Sequence, residues 1–422
     1  MRLRYPIITV LIVACVITAI VLNVVLFRPR DTTIQALFQG TNAYAHIEAL
    51  TNIGPRVAGG SNEKAAAEYI RNQMESFGLT VEIQEFPATY FDDLGSTLEV
   101  VGGATLSPNT LHYSPSGNVT ADIVECGLGY PTDFAPEVAG SIALIRRGEL
   151  YLWQKTQNAA AAGALAAVIY NNEPGNFLAT LTFTTSISAV SISLEDGTLL
   201  LDLIEAAPVT VHLSVETMTS ESTSQNVIGT LEGTDLTQGI IYLGAHYDSV
   251  SVGTGANDDA SGVSAMLEAA RVLSTQLNRT KVTLKFIAFG AEEIGLDGSE
   301  YYITEKVAEV QDRGLGMINL DMIAVGETLL IGNIGSASSS LVDYTRSLAT
   351  TMGISWQSFT AEARSDHAPF EAESVPSVFL HQWPDPWTHT SEDTLDKISI
   401  TTLETNGELA TATMYDWALT HP

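Results

Sequence analysis

Ile240-Ile241-Tyr242-Leu243-Gly244-Ala245-His246-Tyr247-Asp248 begins as an unbroken apolar run and ends in two groups able to bind a metal or a proton. A short apolar run without polar alternation fits a strand buried on both faces, as in a parallel sheet. His246 and Asp248 flank Tyr247, so on extended backbone they point the same way. A histidine that ligates a metal usually gives its other N–H to a carboxylate, and Asp248 is spaced for that part. A lone His-x-Asp is also a common surface pair, so its meaning depends on the other acids and histidines of the chain.

Asn257-Asp258-Asp259-Ala260-Ser261-Gly262 reads as a turn opening a helix over Gly262 to Leu273. A carboxylate there can bridge two metals or cap the helix near its positive end. Val282 to Phe289 is a second buried strand, and Glu292-Glu293 follow it. Adjacent carboxylates on an extended or turning backbone face different sides, so they can take different tasks. Met317 to Leu320 starts a further strand closed by Asp321, and a charge ending an apolar run needs compensation. Ser377-Val378-Phe379-Leu380 is another strand, followed by the loop Trp383-Pro384-Asp385-Pro386-Trp387 and then His389. Strands alternating with helices predict an α/β domain with a mixed, largely parallel central sheet flanked by helices. The acids and histidines fall at or beyond the C-terminal strand ends, where such sheets carry their sites. Zinc takes His nitrogen and carboxylate oxygen, and two zinc ions sharing a carboxylate need about five protein ligands.

His246, Asp258, Glu292-Glu293, Asp321 and His389, in this order and context, resemble the M28 family of zinc peptidases, whose best-known members are aminopeptidases. The resemblance implies two Zn2+. His246, Asp258 and Asp321 would hold one, and Asp258, Glu293 and His389 the other. It implies that Glu292 is the general base, with Asp248 supporting His246. Arg364-Ser365-Asp366-His367-Ala368-Pro369-Phe370 resembles a further stretch of these enzymes, in which the Arg lies at the substrate. The implied function is a zinc-dependent exopeptidase that removes the N-terminal residue of peptides, using a water activated by two metals. One departure is Thr388, which stands where many members have a Tyr before the last His. Rival expectations are a carboxypeptidase like glutamate carboxypeptidase, a one-zinc glutaminyl-cyclase-like transferase, and a non-catalytic receptor-like domain on the same fold. The complete ligand set disfavours the last two. The carboxypeptidase needs a basic pocket, for which Arg364 alone is thin support.

Upstream, Ala43 to Leu50 has a short helical pattern ended by Gly54-Pro55. A second helix is predicted from an N-cap at Ser61 to Gly78, and a strand over Thr80 to Phe86. Residues 96–215 change character. Gly140 to Glu149, an Ala-rich helix over Trp153 to Gly163, and the strand Ala164 to Asn172 together resemble the protease-associated (PA) domain. The predicted organisation is therefore a peptidase domain in two parts, 31–95 and 216–422, with a β-rich PA insertion over 96–215.

The chain has 422 residues, 45% hydrophobic and 16% charged, which exceeds one ordinary core. Residues 6–27 contain no charge and are long enough to cross a bilayer as a helix. They predict a single-pass membrane anchor, with the N-terminus inside and the catalytic domain outside the cytoplasm. Four of the 19 basic residues lie in the first thirty positions, so 15 basic residues face 49 acidic ones in the rest. Nucleic acid is thus a poor partner, and peptides are the expected substrates. Cys15 and Cys126 lack a metal or redox spacing.

Overall fold

The structure is a computed structural model that describes residue 34 and residues 37–275, 280–335 and 339–421. Two helices lead the chain, α1 (Gly40–Thr51) and α2 (Ser61–Ser76). Ser61 is the first helical residue and Gly60 the cap, one place from the expected boundary, while Gly78 just beyond the helix end has a left-handed φ of +86°. Next comes β1 (Thr80–Val100), which runs far beyond the predicted seven residues.

The following segment holds β2 (Thr105–Leu106), β3 (Asn109–Thr110), β4 (Gly117–Glu125), β5 (Ile142–Arg146), α3 (Leu152–Ala161), β6 (Ala166–Tyr170), β7 (Ser188–Ile192) and α4 (Leu194–Ala206). The long β8 (Thr210–Leu231) then returns the chain. After it come β9 (Ile240–His246), α5 (Ala260–Ser274), β10 (Thr283–Phe289), α6 (Asp297–Arg313) and β11 (Gly314–Leu320). The last elements are β12 (Thr328–Asn333), α7 (Ser339–Met352), β13 (Trp356–Thr360), α8 (His367–Ala372), β14 (Ser377–Trp383) and α9 (Ile400–Thr420).

The strands share one sheet, in the order β13-β12-β14-β11-β9-β10-β8-β4-β5-β6-β7-β3, with β1 on β8 and β2 on β1. Its C-terminal part is largely parallel: β10, β9, β11 and β14 run the same way. β8 on one side is antiparallel to β10, and β12 on the other is antiparallel to β14. β1 and β8 form an antiparallel ribbon registered from Thr80 opposite Thr230 to Val100 opposite Val211, with a bulge between Asp93 and Gly95. The β8 end near Leu231 pairs with β10, and the end near Thr210 pairs with β4. One ribbon therefore carries the inserted segment on the central sheet.

β9 and β10 are buried along their whole length, as expected of strands covered by helices on both faces. α1, α5 and α9 pack on one face, where Ile47, Leu243, Met266, Phe286 and Met414 share a core. Tyr242, Phe289, Tyr302 and Phe370 fill the other face. Cys126 is buried with a free thiol inside the inserted segment.

The anchor expected over residues 6–27 falls outside the described residues. Among the described residues no helix is long and apolar enough to cross a membrane. α9 is 21 residues long but carries Glu404, Glu408 and Asp416. Against the expected single-pass anchor, the described fold contains no transmembrane helix, and the membrane is not carried further as partner or as location.

Candidate metal centre

The C-terminal ends of β9, β10 and β11 gather the predicted residues into one place. His246 closes β9, Glu292 and Glu293 follow β10, and Asp321 follows β11. Asp258 lies one residue before Asp259, whose side chain caps α5 by accepting from Gly262 N–H at 2.8 Å. A Cβ at Gly262 would lie 2.4 Å from that carboxylate, so only glycine allows the helix to start this close. His389 comes from the loop after β14.

Asp258 stands between the two histidines. Its Oδ1 is 3.2 Å from His246 Nε2, and its Oδ2 is 3.1 Å from His389 Nε2. His389 Nε2 also lies 3.0 Å from Glu293 Oε2. His246 Nε2 lies 3.8 Å from Asp321 Oδ1 and 4.0 Å from Glu292 Oε2. Asp258, Glu293 and His389 form one group with ligand atoms within 4.8 Å of one another. In the other group His246 and Asp321 are joined by Asp259. Asp258 nevertheless presents an oxygen directly to His246, whereas Asp259 Oδ1 is committed to Gly262 N–H and to Met322 N–H at 3.0 Å. Asp258 thus faces both histidines, and Asp259, while capping the helix, adds a nearby oxygen to the His246 group.

Asp248 serves the glutamate pair. Its two oxygens accept from the N–H groups of Glu292 at 3.0 Å and Glu293 at 3.1 Å. Its Oδ1 lies 3.6 Å from His246 Nδ1, which points more closely at the Asp248 carbonyl oxygen, 3.3 Å away. Asp393 accepts from the N–H groups of Asn257 at 2.8 Å and Asp258 at 3.1 Å, which fixes the bridging turn. Asn257 in turn donates to Asp385 at 2.8 Å and accepts from Ala324 N–H at 3.0 Å.

So many buried carboxylates oppose one another. Burial pushes the Glu292 carboxyl well above the usual range; His246 opposes this, while Asp321, Asp366 and Glu293 add to it. Burial also raises Glu293, against the pull of His389. Glu293 drives the His389 imidazole up to about 12. Such a cluster is costly unless cations neutralise it. Arg56 supplies one fixed charge. It is fully buried, donates to the carbonyl oxygens of Tyr247, Thr254 and Gly255, and faces Asp248, Asp393, Asp259 and Asp258. Buried Glu293 Oε1 and Asp259 Oδ2 have no hydrogen-bond partner. Orphaned oxygens beside histidine nitrogens are a donor set that fits zinc.

Two cavities meet at Glu293 and His389. One is a pocket of about 210 Å3, walled by Val57, Phe91, Leu178, Val252 and Ile294. The other is an open cleft of about 930 Å3 that also reaches Glu292. Arg364 lines the open cleft at its rim, 82% exposed and paired with Glu362 at 2.5 Å. Thr388 turns its hydroxyl to the Asp385 carbonyl at 3.4 Å and to Met322 Sδ at 3.8 Å.

The other histidines do not join the cluster. His46 bonds Tyr69, His212 bonds Thr120, and His421 stacks on Trp417. His367 is buried against Phe379, and burial lowers it to about 4. His381 stacks towards Trp383. His112 packs against Phe91 and Tyr113 and lines the small pocket. Sequence reasoning missed Arg56 and Asp393. The available signal was a charged residue directly after Gly54-Pro55, and an acid four residues beyond the last ligand.

A model of peptidase family M28 matches residues 226–414, and a PA domain model matches residues 119–200. Aminopeptidase YwaD of Bacillus subtilis is 36% identical over 396 residues, covering 90% of this chain and 85% of that protein. The aminopeptidase from Aneurinibacillus sp. strain AM-1 superposes with a TM-score of 0.82 at 35% identity, over 92% of this chain and 96% of that one. BSAP, a zinc aminopeptidase from Bacillus subtilis, superposes with a TM-score of 0.77 at 34% identity, over 90% and 95%. With its ligand geometry, its sheet and this extent of likeness, the chain belongs to peptidase family M28 and carries an inserted PA domain.

Proposed function

We infer that the protein is a zinc-dependent aminopeptidase, a hydrolase of peptide bonds that releases the N-terminal residue. The observation that carries this is Asp258, with one carboxylate oxygen on His246 and the other on His389. The three relatives of similar length compared above are aminopeptidases, one of them a zinc aminopeptidase.

In this reading His246, Asp258 and Asp321 would hold one zinc, and Asp258, Glu293 and His389 would hold the other. When bound, zinc would supply Lewis-acid polarisation of the scissile carbonyl and a water whose pKa is lowered to ~7. Glu292 stays unligated and acts as general base. It takes one proton from the attacking water while the oxygen bonds to the carbonyl carbon. It returns that proton to the amine as the C–N bond breaks. Asp248 holds the Glu292 and Glu293 backbone, which aims the two carboxylates apart. The free ammonium of the substrate meets an acidic surround, which suits an exposed N-terminus. The small pocket beside Glu293 and His389 suits the first side chain, and its mostly apolar wall favours an uncharged one. The open cleft, with Arg364 at its rim, is the route for the rest of the peptide. Thr388 is turned away towards Met322 and Asp385, so it is not assigned to the oxyanion.

The test uses aminoacyl-nitroanilides, free and N-acetylated, with and without a chelator. Only the free substrates are expected to be cleaved, and only before chelation. Equal cleavage of the acetylated form, or full activity after chelation, would contradict the reading.

A further inference from the structure

The open cleft has a wall that the chemistry at Glu292 does not use. Its PA side is built by Arg147 to Trp153, at the start of α3. Tyr151 and Trp153 stack with their planes 8° apart and centroids 6.4 Å apart, and Phe183 lies 5.5 Å from Trp153. Tyr151 is 72% exposed and Phe183 42% exposed. A row of rings facing water is an apolar surface that gains from being covered. The backbone beneath is fixed, since Tyr151 N–H donates to Gln154 Oε1 at 3.2 Å. Arg147 is fixed as well, bonded to Asn171 at 3.0 Å and lying 4.4 Å over the Phe177 ring.

The small pocket and the cleft share Glu293, His389, Ala179 and Thr180. The segment carrying Ala179 and Thr180 is held in place by His112, whose N–H donates to the Ala179 carbonyl and whose carbonyl accepts from Leu181 N–H, each at 3.0 Å. A first side chain seated in the pocket leaves the open cleft for the chain beyond the scissile bond. Tyr151 and Trp153 line that exit.

We propose that the PA insertion reads the substrate beyond its first residue: Tyr151 and Trp153 form a shelf that binds an apolar or aromatic side chain among the second to fourth residues. This rests on the aminopeptidase reading above. Flat rings accept such side chains by stacking and dispersion, without requiring one fixed sequence.

The test compares leucinamide, Leu-Gly-Gly-Gly, and the same tetrapeptide with a single Phe at position two, three or four. All are assayed with the full-length zinc-loaded protein and with Y151A. Phe at one of these positions is expected to raise kcat/KM about fivefold over the all-glycine tail, through KM. Y151A is expected to abolish that gain. The ratio is taken within one preparation, so a partly folded variant does not mimic the result. If leucinamide is cleaved but Phe brings no gain, or the gain survives in Y151A, the shelf is overturned while the aminopeptidase reading stands. Absence of chelator-sensitive leucinamide cleavage would overturn both.

Discussion

The Asp248 carboxylate accepts the backbone N–H of Glu292 at 3.0 Å and so ties the end of β9 to the end of β10. Its second oxygen takes the next N–H, that of Glu293. Asp248→Asn keeps the size but offers one acceptor oxygen to two donors. The glutamate pair should then rotate, with loss of about 10–100-fold in activity or metal affinity. Steady-state kinetics with zinc titration checks this, and an unchanged D248N would show that the link does no positioning.

Glu292 and Glu293 should separate by mutation. Glu292→Gln is expected to keep both zinc ions and lose ~10²–10⁴-fold in kcat, because the amide cannot take a proton. Glu293→Gln is expected to weaken one zinc. Metal analysis beside kinetics reads both, and zinc loss in E292Q would reverse the assignment.

Arg56 holds three carbonyls of the segment between His246 and Asp258. Arg56→Met leaves those carbonyls and the facing aspartates uncompensated. A stability loss of about 3–5 kcal/mol is expected from denaturant unfolding. A loss below ~1 kcal/mol would mean that the acidic cluster does not depend on it.

Arg56 also marks the limit of what was legible. His246, Glu293 and Asp321 could be found because they end or closely follow apolar strands, so one-dimensional pattern coincides with the three-dimensional rule that sites lie at strand ends, whereas Asp258 and His389 lie in loops and were read from the family resemblance. Their helices and strands were found within a few residues for the same reason. Arg56 and Asp393 act through backbone groups far away in sequence, and no local pattern encodes that. β1 was read as seven residues because alternation fades after Phe86, yet pairing with β8 continues to Val100. Arg364 was expected at the substrate from its motif; it lines the cleft, but its partner Glu362 could not be foreseen. The membrane anchor was inferred from hydropathy and length alone, without a packing partner to test it.

Glu63 gives a pH dependence away from the ligands. Burial, then the charge of Asp248, raises its carboxyl to about 8, while it accepts from Gly59 N–H and Ser224. The unfolded chain loses this proton near the ordinary value of 4.5. Between these values the folded state binds more protons, so the contribution of Glu63 is full below about pH 4.5 and is lost as pH rises towards 8. Glu63→Gln cannot titrate. Its melting temperature relative to wild type should therefore rise from pH 5 to pH 8, measured by thermal unfolding. A difference that stays flat with pH would contradict the buried neutral acid.

The bridge at Asp258 is tested most directly by counting zinc. The purified protein should hold close to two zinc ions, and Asp258→Ala should lose both, because one carboxylate faces both histidines. Metal analysis that finds both sites of D258A still fully occupied would contradict the two-zinc centre with Asp258 as its bridge.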